Sequence, residues 1–363
     1  MGEFTPYRID VPEAELEDLR YRLDRVRWAQ EVDDAGWDYG SPVDELKRQV
    51  DYWRNTYDWR AWEARLNEYP QFTTTIDGQN IHFLHVKSPD PDALPLILTH
   101  GWPGSIAEFL DIVEPLTKPG DGPAFHLVIP SLPGSGFSGP TSTRGWDTFR
   151  IAAAWAELMK NLGYDRYGAV GNDWGAHIAP ELGRLAPNAV IGVHVTQIFS
   201  DVDPAEFDRS SPEERAAVEG LEWFQQNMDA YGHLQTQQPQ SLAHALTDSP
   251  VGLLGWHNLI YRGGLDPDFV LTNVMIHWLT GTVASAMRIY YEQGRASRPA
   301  EPTTVPLGLA QFRDDVQAIR RFAERDHANI ISWNSYDTGG HFAAHQEPDL
   351  LVNDLRTFFT QLR

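Results

Sequence analysis

The stretch that most restricts this chain is a strand that breaks into a sharp turn and resumes as a helix: Tyr167-Gly-Ala-Val170, then Gly171-Asn-Asp-Trp-Gly175, then Ala176-His-Ile-Ala179. A turn this tight strains the backbone at its middle residue and leaves no room for side chains beside it, hence the flanking glycines. The middle residue here is Asp173. An isolated Gly-x-Asp-x-Gly is most often a helix N-cap, a position that Asp favours. At the end of a strand the same carboxylate has another use. It needs no base to be nucleophilic, and the N-terminus of the following helix favours its ionised form. Such a nucleophile attacks carbon by displacement.

The surrounding pattern fits that use. Apolar runs at Leu94–Thr99, His126–Pro130, Tyr167–Val170, Val190–Val195, Val305–Phe312 and Ile330–Tyr336 alternate with helical patterns, which predicts a parallel sheet with crossover helices. Ahead of them, Phe72–Ile76 and Ile81–Val86 read as a hairpin turned by Asp77-Gly78-Gln79-Asn80, because Asp-Gly tolerates positive φ. Residues 1–70 read as an N-terminal helical extension: Leu16, Leu19, Leu23, Val26 and Trp28 recur at helical spacing from Pro12 on, as do Trp53, Tyr57, Trp59 and Trp62 between Val43 and Leu66. Aromatic density of this kind points to packing. Between Phe199 and Arg298 the strand signal vanishes, and the chain reads as helices broken at Ser249-Pro250 and Gly263-Gly264. The expectation is an α/β-hydrolase fold: a mostly parallel central sheet with helices on both faces, core residues 71–198 and 301–363, and an inserted helical cap at 199–300.

The partners of Asp173 follow from chain order. His100-Gly-Trp-Pro-Gly-Ser105 directly follows the Leu94–Thr99 strand, where such folds place one half of the oxyanion hole; the backbone N–H groups of Trp102 and Trp174 are the expected donors. Gly339-Gly340-His341 follows the last strand, where the order nucleophile, acid, base places a histidine. His327 precedes that strand and His345 lies a helical turn later, so both have weaker cases. The acid belongs after the preceding strand, where Asp314 and Asp315 are neighbours; we favour Asp315 and keep Asp314 as the alternative.

Composition removes several other classes. A formal net charge of -22 repels phosphate backbones and anionic lipid, so neither nucleic acid nor a membrane surface is an expected partner. There is no cysteine, which excludes disulfides and thiolate metal sites. Neither a basic, apolar leader nor a run approaching about 18 apolar residues occurs, and the expectation is a cytoplasmic protein. Its oligomeric state is open, a homodimer included.

With these residues placed, the chain resembles the microsomal-type epoxide hydrolases essentially end to end. The likeness runs through Trp53–Asn67, Ile76–Val86, His100–Ser105, Gly171–Gly175, the stretch from Thr272-Asn273-Val274 to Thr282, and Gly339–Pro348. In that family the acid sits three residues after a Phe, which from Phe312 gives Asp315, and its separation from His341, 341 minus 315 or 26 residues, also suits the family. The resemblance further implies two cap tyrosines that hold the epoxide oxygen, carried over onto Tyr231 and Tyr290, with Tyr291 as near rival. Asn172 stands where Gly is commoner, and a membrane anchor like that of animal relatives is not expected. The expected reaction opens an apolar epoxide, aryl-substituted ones included, to a vicinal diol through an ester on Asp173, with His341 activating water and no metal or organic cofactor. His100, Trp102, Trp174, Trp256 and Trp278 are the expected pocket lining. The alternatives are a haloalkane dehalogenase using the same ester, in which indole N–H groups would hold the halide, and a hydrolase-fold binding protein without activity.

Overall fold

The apolar runs pair side by side in one sheet. The computed structural model describes residues 3–118, 120, 122–200, 206, 211–262, 264–297 and 299–363. Its strands are β1 (Thr5–Tyr7), β2 (Gln71–Ile76), β3 (Gln79–Val86), β4 (Leu94–Thr99), β5 (Phe125–Pro130), β6 (Tyr167–Gly171), β7 (Val190–Val195), β8 (Leu307–Asp314) and β9 (Ile330–Gly340), in the spatial order β1-β2-β3-β5-β4-β6-β7-β8-β9. From β5 to β9 every neighbouring pair is parallel, whereas β1, β2, β3 and β5 pair antiparallel. The hairpin loop is shorter than the sequence pattern suggests. Ile76 pairs with Gln79, so only Asp77 and Gly78 turn, both at positive φ.

Along the first 70 residues α1 (Glu13–Leu23), α2 (Val43–Asn55) and α3 (Trp59–Leu66) form. α1 buries Leu16, Leu19 and Leu23. It ends sooner than the spacing predicts: the Asp24 N–H closes it on Arg20, and Trp28 lies exposed beyond it. Val43–Leu66 is two helices because Asp58, accepting the Arg60 N–H, starts the second one afresh. Strand β1 has no sequence signal. It exists by pairing with β2.

Helices α4 (Leu110–Thr117), α5 (Thr148–Asn161) and α6 (Trp174–Leu185) follow β4, precede β6 and follow β6 respectively. After β7 the described chain is helical up to β8: α7 (Pro212–Asn227), α8 (Ala230–Gln237), α9 (Pro239–Asp248), α10 (Pro250–Tyr261), α11 (Pro267–Leu279), α12 (Val283–Ala286) and α13 (Arg288–Gln293). The expected break at Ser249-Pro250 separates α9 from α10, with the Ser249 hydroxyl accepting the Gly252 N–H. Gly263 of the other expected break lies outside the described residues. The chain closes with α14 (Arg320–Asp326), α15 (Ala343–Gln346) and α16 (Pro348–Thr360). α5 and α6 pack together, as do α4 and α16. The rings of Phe358 and Phe359 on α16 fill the space beside Gly168, Gly192 and Gly308 of the central strands.

The N-terminal helices tie the inserted helices to the sheet. Tyr52 donates to Asp268 of α11 at 2.8 Å, Asn258 of α10 donates to Gln49 at 2.6 Å, and Tyr57 shares a 3.0 Å hydrogen bond with Thr272. On the other side Arg65 pairs with Asp111 of α4 at 2.6 Å.

Candidate active site

Five adjacent parallel strands, β4, β6, β7, β8 and β9, end on the same side of the sheet, and each delivers one component. In open parallel sheets this carboxyl edge is where ligands bind. At the end of β6, Asp173 adopts φ 54° and ψ −118°, strain of the kind that concentrates at functional turns. The flanking glycines are forced by closeness. A Cβ on Gly171 would lie 2.0 Å from the Gly175 carbonyl oxygen, and one on Gly175 1.9 Å from that of Thr99. Asp173 does not cap α6 with its side chain. Its Oδ1 instead accepts the Trp102 N–H at 2.7 Å from the loop after β4, and the Trp174 N–H also points at the carboxylate.

His341, after β9, presents Nε2 at 3.7 Å from Asp173 Oδ2 and Nδ1 at 3.2 Å from Asp315 Oδ1. Asp315 follows β8 and is the acid that reaches the histidine, whereas Asp314 points to solvent and pairs with Arg313. Of the other histidines weighed, His327 is bonded to Thr303 at 2.7 Å and His345 to Asp111 at 2.6 Å.

Above this group the inserted helices place two phenols. Tyr231 on α8 stacks on Trp102 with ring centroids 5.3 Å apart; Tyr290 on α13 stands edge-on to Trp174 at 4.7 Å and 6.0 Å from Tyr231. Tyr291 turns away, its ring under the Arg295 guanidinium at 3.5 Å.

Three of the expected lining residues are elsewhere. His100 is fully buried and spends both nitrogens on backbone, Nδ1 donating to the Gly101 carbonyl and Nε2 accepting the Leu132 N–H, so it holds the Trp102 loop and does not line the pocket. Trp256 donates to Gln235 and borders a separate outer cavity of about 990 Å³ against the N-terminal region. Trp278 lies under Arg22 of α1. Helical spacing alone does not say which side of α10 or α11 faces inward.

Two participants escape a reading by chain order. Gln197, just past β7, accepts the Asp173 N–H at 2.6 Å and donates to Asp315, and it lies 3.1 Å from His341 Nδ1. Its only trace in the sequence is a polar Thr-Gln pair closing an apolar strand. Glu108 lies buried behind the turn, bonded to Asn172 at 2.7 Å.

The charges are coupled. Burial opposes the His341 imidazolium, but Asp315, then Asp173 and Glu108, outweigh it and raise its pKa to about 9. Burial raises the Asp173 carboxyl, against the pull of His341 and the Trp102 and Trp174 N–H groups. Tyr231 and Tyr290 are held as neutral phenols, first by burial and then by the Asp173 charge. Among the described residues no cluster of His, Asp or Glu could hold a metal ion. Nor is any single helix there long and apolar enough to cross a membrane.

The chain is similar to known proteins over nearly its whole length. Residues 4–109 match the family model described as epoxide hydrolase N terminus, and residues 95–262 that of the alpha/beta hydrolase fold. A Stigmatella aurantiaca protein, provisionally named an epoxide hydrolase, is 41% identical over 99% of this chain and 85% of its own. Epoxide hydrolase 1 of Sus scrofa is 34% identical over 97% of this chain and 88% of its own. The crystal structure of the Bombyx mori juvenile hormone epoxide hydrolase superposes with a TM-score of 0.90 at 26% identity, covering 100% of this chain and 95% of the other.

Proposed function

Since the chain belongs to the epoxide hydrolases and is therefore a hydrolase of epoxides, we propose that it works through a covalent ester on Asp173, hydrolysed by water that His341 activates. The observation that carries this reading is the Asp173 carboxylate itself. It lies 2.7 Å from one backbone N–H and 3.7 Å from an imidazole whose far nitrogen rests on a second carboxylate.

In the first step Asp173 attacks an epoxide carbon while Tyr231 and Tyr290 donate hydrogen bonds to the ring oxygen. An unassisted alkoxide is a poor leaving group, and a buried phenol can protonate it as the C–O bond breaks. In the second step His341, oriented by Asp315, takes a proton from water as it attacks the ester carbonyl. The Trp102 and Trp174 amides, already directed at the carboxylate, hold the oxyanion before the diol leaves. Residues 199–300 act as a cap whose aromatic underside, with Trp102 and Trp174, suits an apolar or aryl-bearing epoxide. The two phenols favour an oxygen leaving group over halide.

A single turnover in ¹⁸O-water with a simple aryl epoxide and excess enzyme tests the ester route. Label should enter the Asp173 carboxylate; label confined to the diol would rule the ester out. His341→Gln should accumulate the ester, and normal turnover by that variant would refute the base assignment.

A further inference from the structure

Away from the catalytic group lies the cavity of about 990 Å³ that Trp256 borders. It opens between the N-terminal region, from the end of α1 to α2, and the inserted helices, chiefly the end of α7 with α9 and α10. None of Asp173, His341, Tyr231, Tyr290, Trp102 and Trp174 lines it. Its walls are mostly apolar, and Trp28, Trp37, Tyr39 and Trp256 give them wide aromatic faces. A volume within the range of about 300–1,000 Å³, apolar walls and a few polar groups are the usual marks of a small-molecule site.

The polar groups here are largely cationic, in a chain whose formal net charge is -22. Arg22, Arg25, Arg27 and Arg262 line the cavity against two acids, Asp38 and Asp248. Arg22 is already neutralised, at 2.6 Å from Asp18 and 3.1 Å from Asp248, and Asp38 is exposed to solvent. None of the other three arginines has an ion pair among the described residues. Arg25 and Arg27 are exposed, whereas Arg262 is partly buried, with its guanidinium 4.8 Å over the Trp37 ring. Stacking engages the flat face of a guanidinium and leaves its N–H edge free for an acceptor in its plane. Arg262 Nε makes no hydrogen bond, and burial lowers the pKa of the side chain. A half-desolvated cation without a counter-charge favours an anionic partner.

We propose that this cavity is a second, non-catalytic binding site for an aromatic carboxylate, whose rings lie against the indole walls and whose carboxylate meets the Arg262 guanidinium. The inference goes beyond the ester route and does not depend on it. A carboxylate matches the guanidinium fork through two parallel N–H···O bonds, and flat rings gain from packing on aromatic walls beyond the area they bury. Arg25 and Arg27 add positive potential that draws the anion in. The bound molecule joins the N-terminal region to α9 and α10, and by mass action it stabilises the folded chain.

Pyrenebutyrate, with pyrenebutanol as its uncharged counterpart, tests this when each is titrated into the full chain and followed by calorimetry and by Tm. The expected result is one saturable site per chain, a Tm that rises with the carboxylate, and an affinity for it at least about tenfold above that for the alcohol. Arg262→Gln should abolish that advantage while leaving affinity for the alcohol and epoxide turnover unchanged, and Arg27→Gln should weaken the carboxylate by a smaller factor. Asp173→Asn should bind the carboxylate as wild type does, and a saturating aryl epoxide should not displace it from that variant. Equal affinity for acid and alcohol, an advantage that survives Arg262→Gln, or displacement by the epoxide would each overturn the proposal. The first and third outcomes are read with Arg262 in place, so they decide the matter even if the Arg262 variant does not fold. A dimer in sedimentation that must dissociate before the probe binds would place a second copy of the chain in the cavity and overturn it as well.

Discussion

Tyr231 and Tyr290 share one task with different supports, one stacked on Trp102 and the other edge-on to Trp174. Removing one hydroxyl leaves the other to stabilise the departing oxygen, so Tyr231→Phe and Tyr290→Phe should each slow ester formation by about 10²-fold, and the double variant by far more. Stopped-flow measurement of the ester-forming phase checks this; a double variant no slower than either single one would remove the phenols from that step. Gln197 acts at one remove, joining the Asp173 backbone, Asp315 and His341. Gln197→Ala should lower kcat by about 10²-fold through loosened geometry while changing KM little, since misplacement of this kind can cost that much. Steady-state kinetics decide it. At this scale Asp173, His341 and the acid's loop were legible because chain order constrains them. Gln197 and Glu108 were not, because a polar residue's burial and partners are set by what folds against it.

The element that organises the site is the β6–α6 turn, and its tolerance is small. Gly175→Ala would press a methyl group onto the Thr99 carbonyl oxygen of β4, 1.9 Å away, where backbone cannot yield cheaply. The expected cost is about 1–3 kcal/mol of stability or more, together with lost activity, visible as a lowered urea midpoint; an unchanged midpoint would mean that the start of α6 can move away from β4 at no cost. Element identity was readable from period and length, as in the six apolar strands and the Asp-Gly hairpin. Ends and facings were not. α1 stopped at Leu23 rather than continuing to Trp28, and β1 formed only because β2 offered it an edge. Trp256 and Trp278 lie on apolar helices that are buried on more than one side, so periodicity gave no choice between the catalytic face and the one toward the N-terminal region.

Across the whole molecule several histidines are buried and neutral. Burial lowers His82 to about 3, and His100 and His277 to about 4. In the unfolded chain they titrate near 6.5, so as pH falls below that value the unfolded state binds protons the folded one refuses, and stability is lost down to the folded pKa. Each should cost about 2 kcal/mol by about pH 5, and His82→Asn should flatten the fall in Tm between about pH 7 and about pH 5. A Tm profile unaltered by that substitution would show that His82 is not held neutral. His341 has the opposite sign. Raised to about 9 by its carboxylates, it contributes stability below about 6.5 that is lost as pH rises through about 9. Order along the chain, hydrophobic period and the two glycine-bounded turns were enough to specify a parallel sheet, the nucleophile turn and the sequence of its partners, because those features are local and each backbone geometry admits few residues. Tertiary structure alone decided which aromatic faces line the pocket, and that Gln197 and Glu108 stand beside the turn. Those outcomes depend on the meeting of five strand ends and two helical layers far apart in sequence, and no local pattern encodes that meeting.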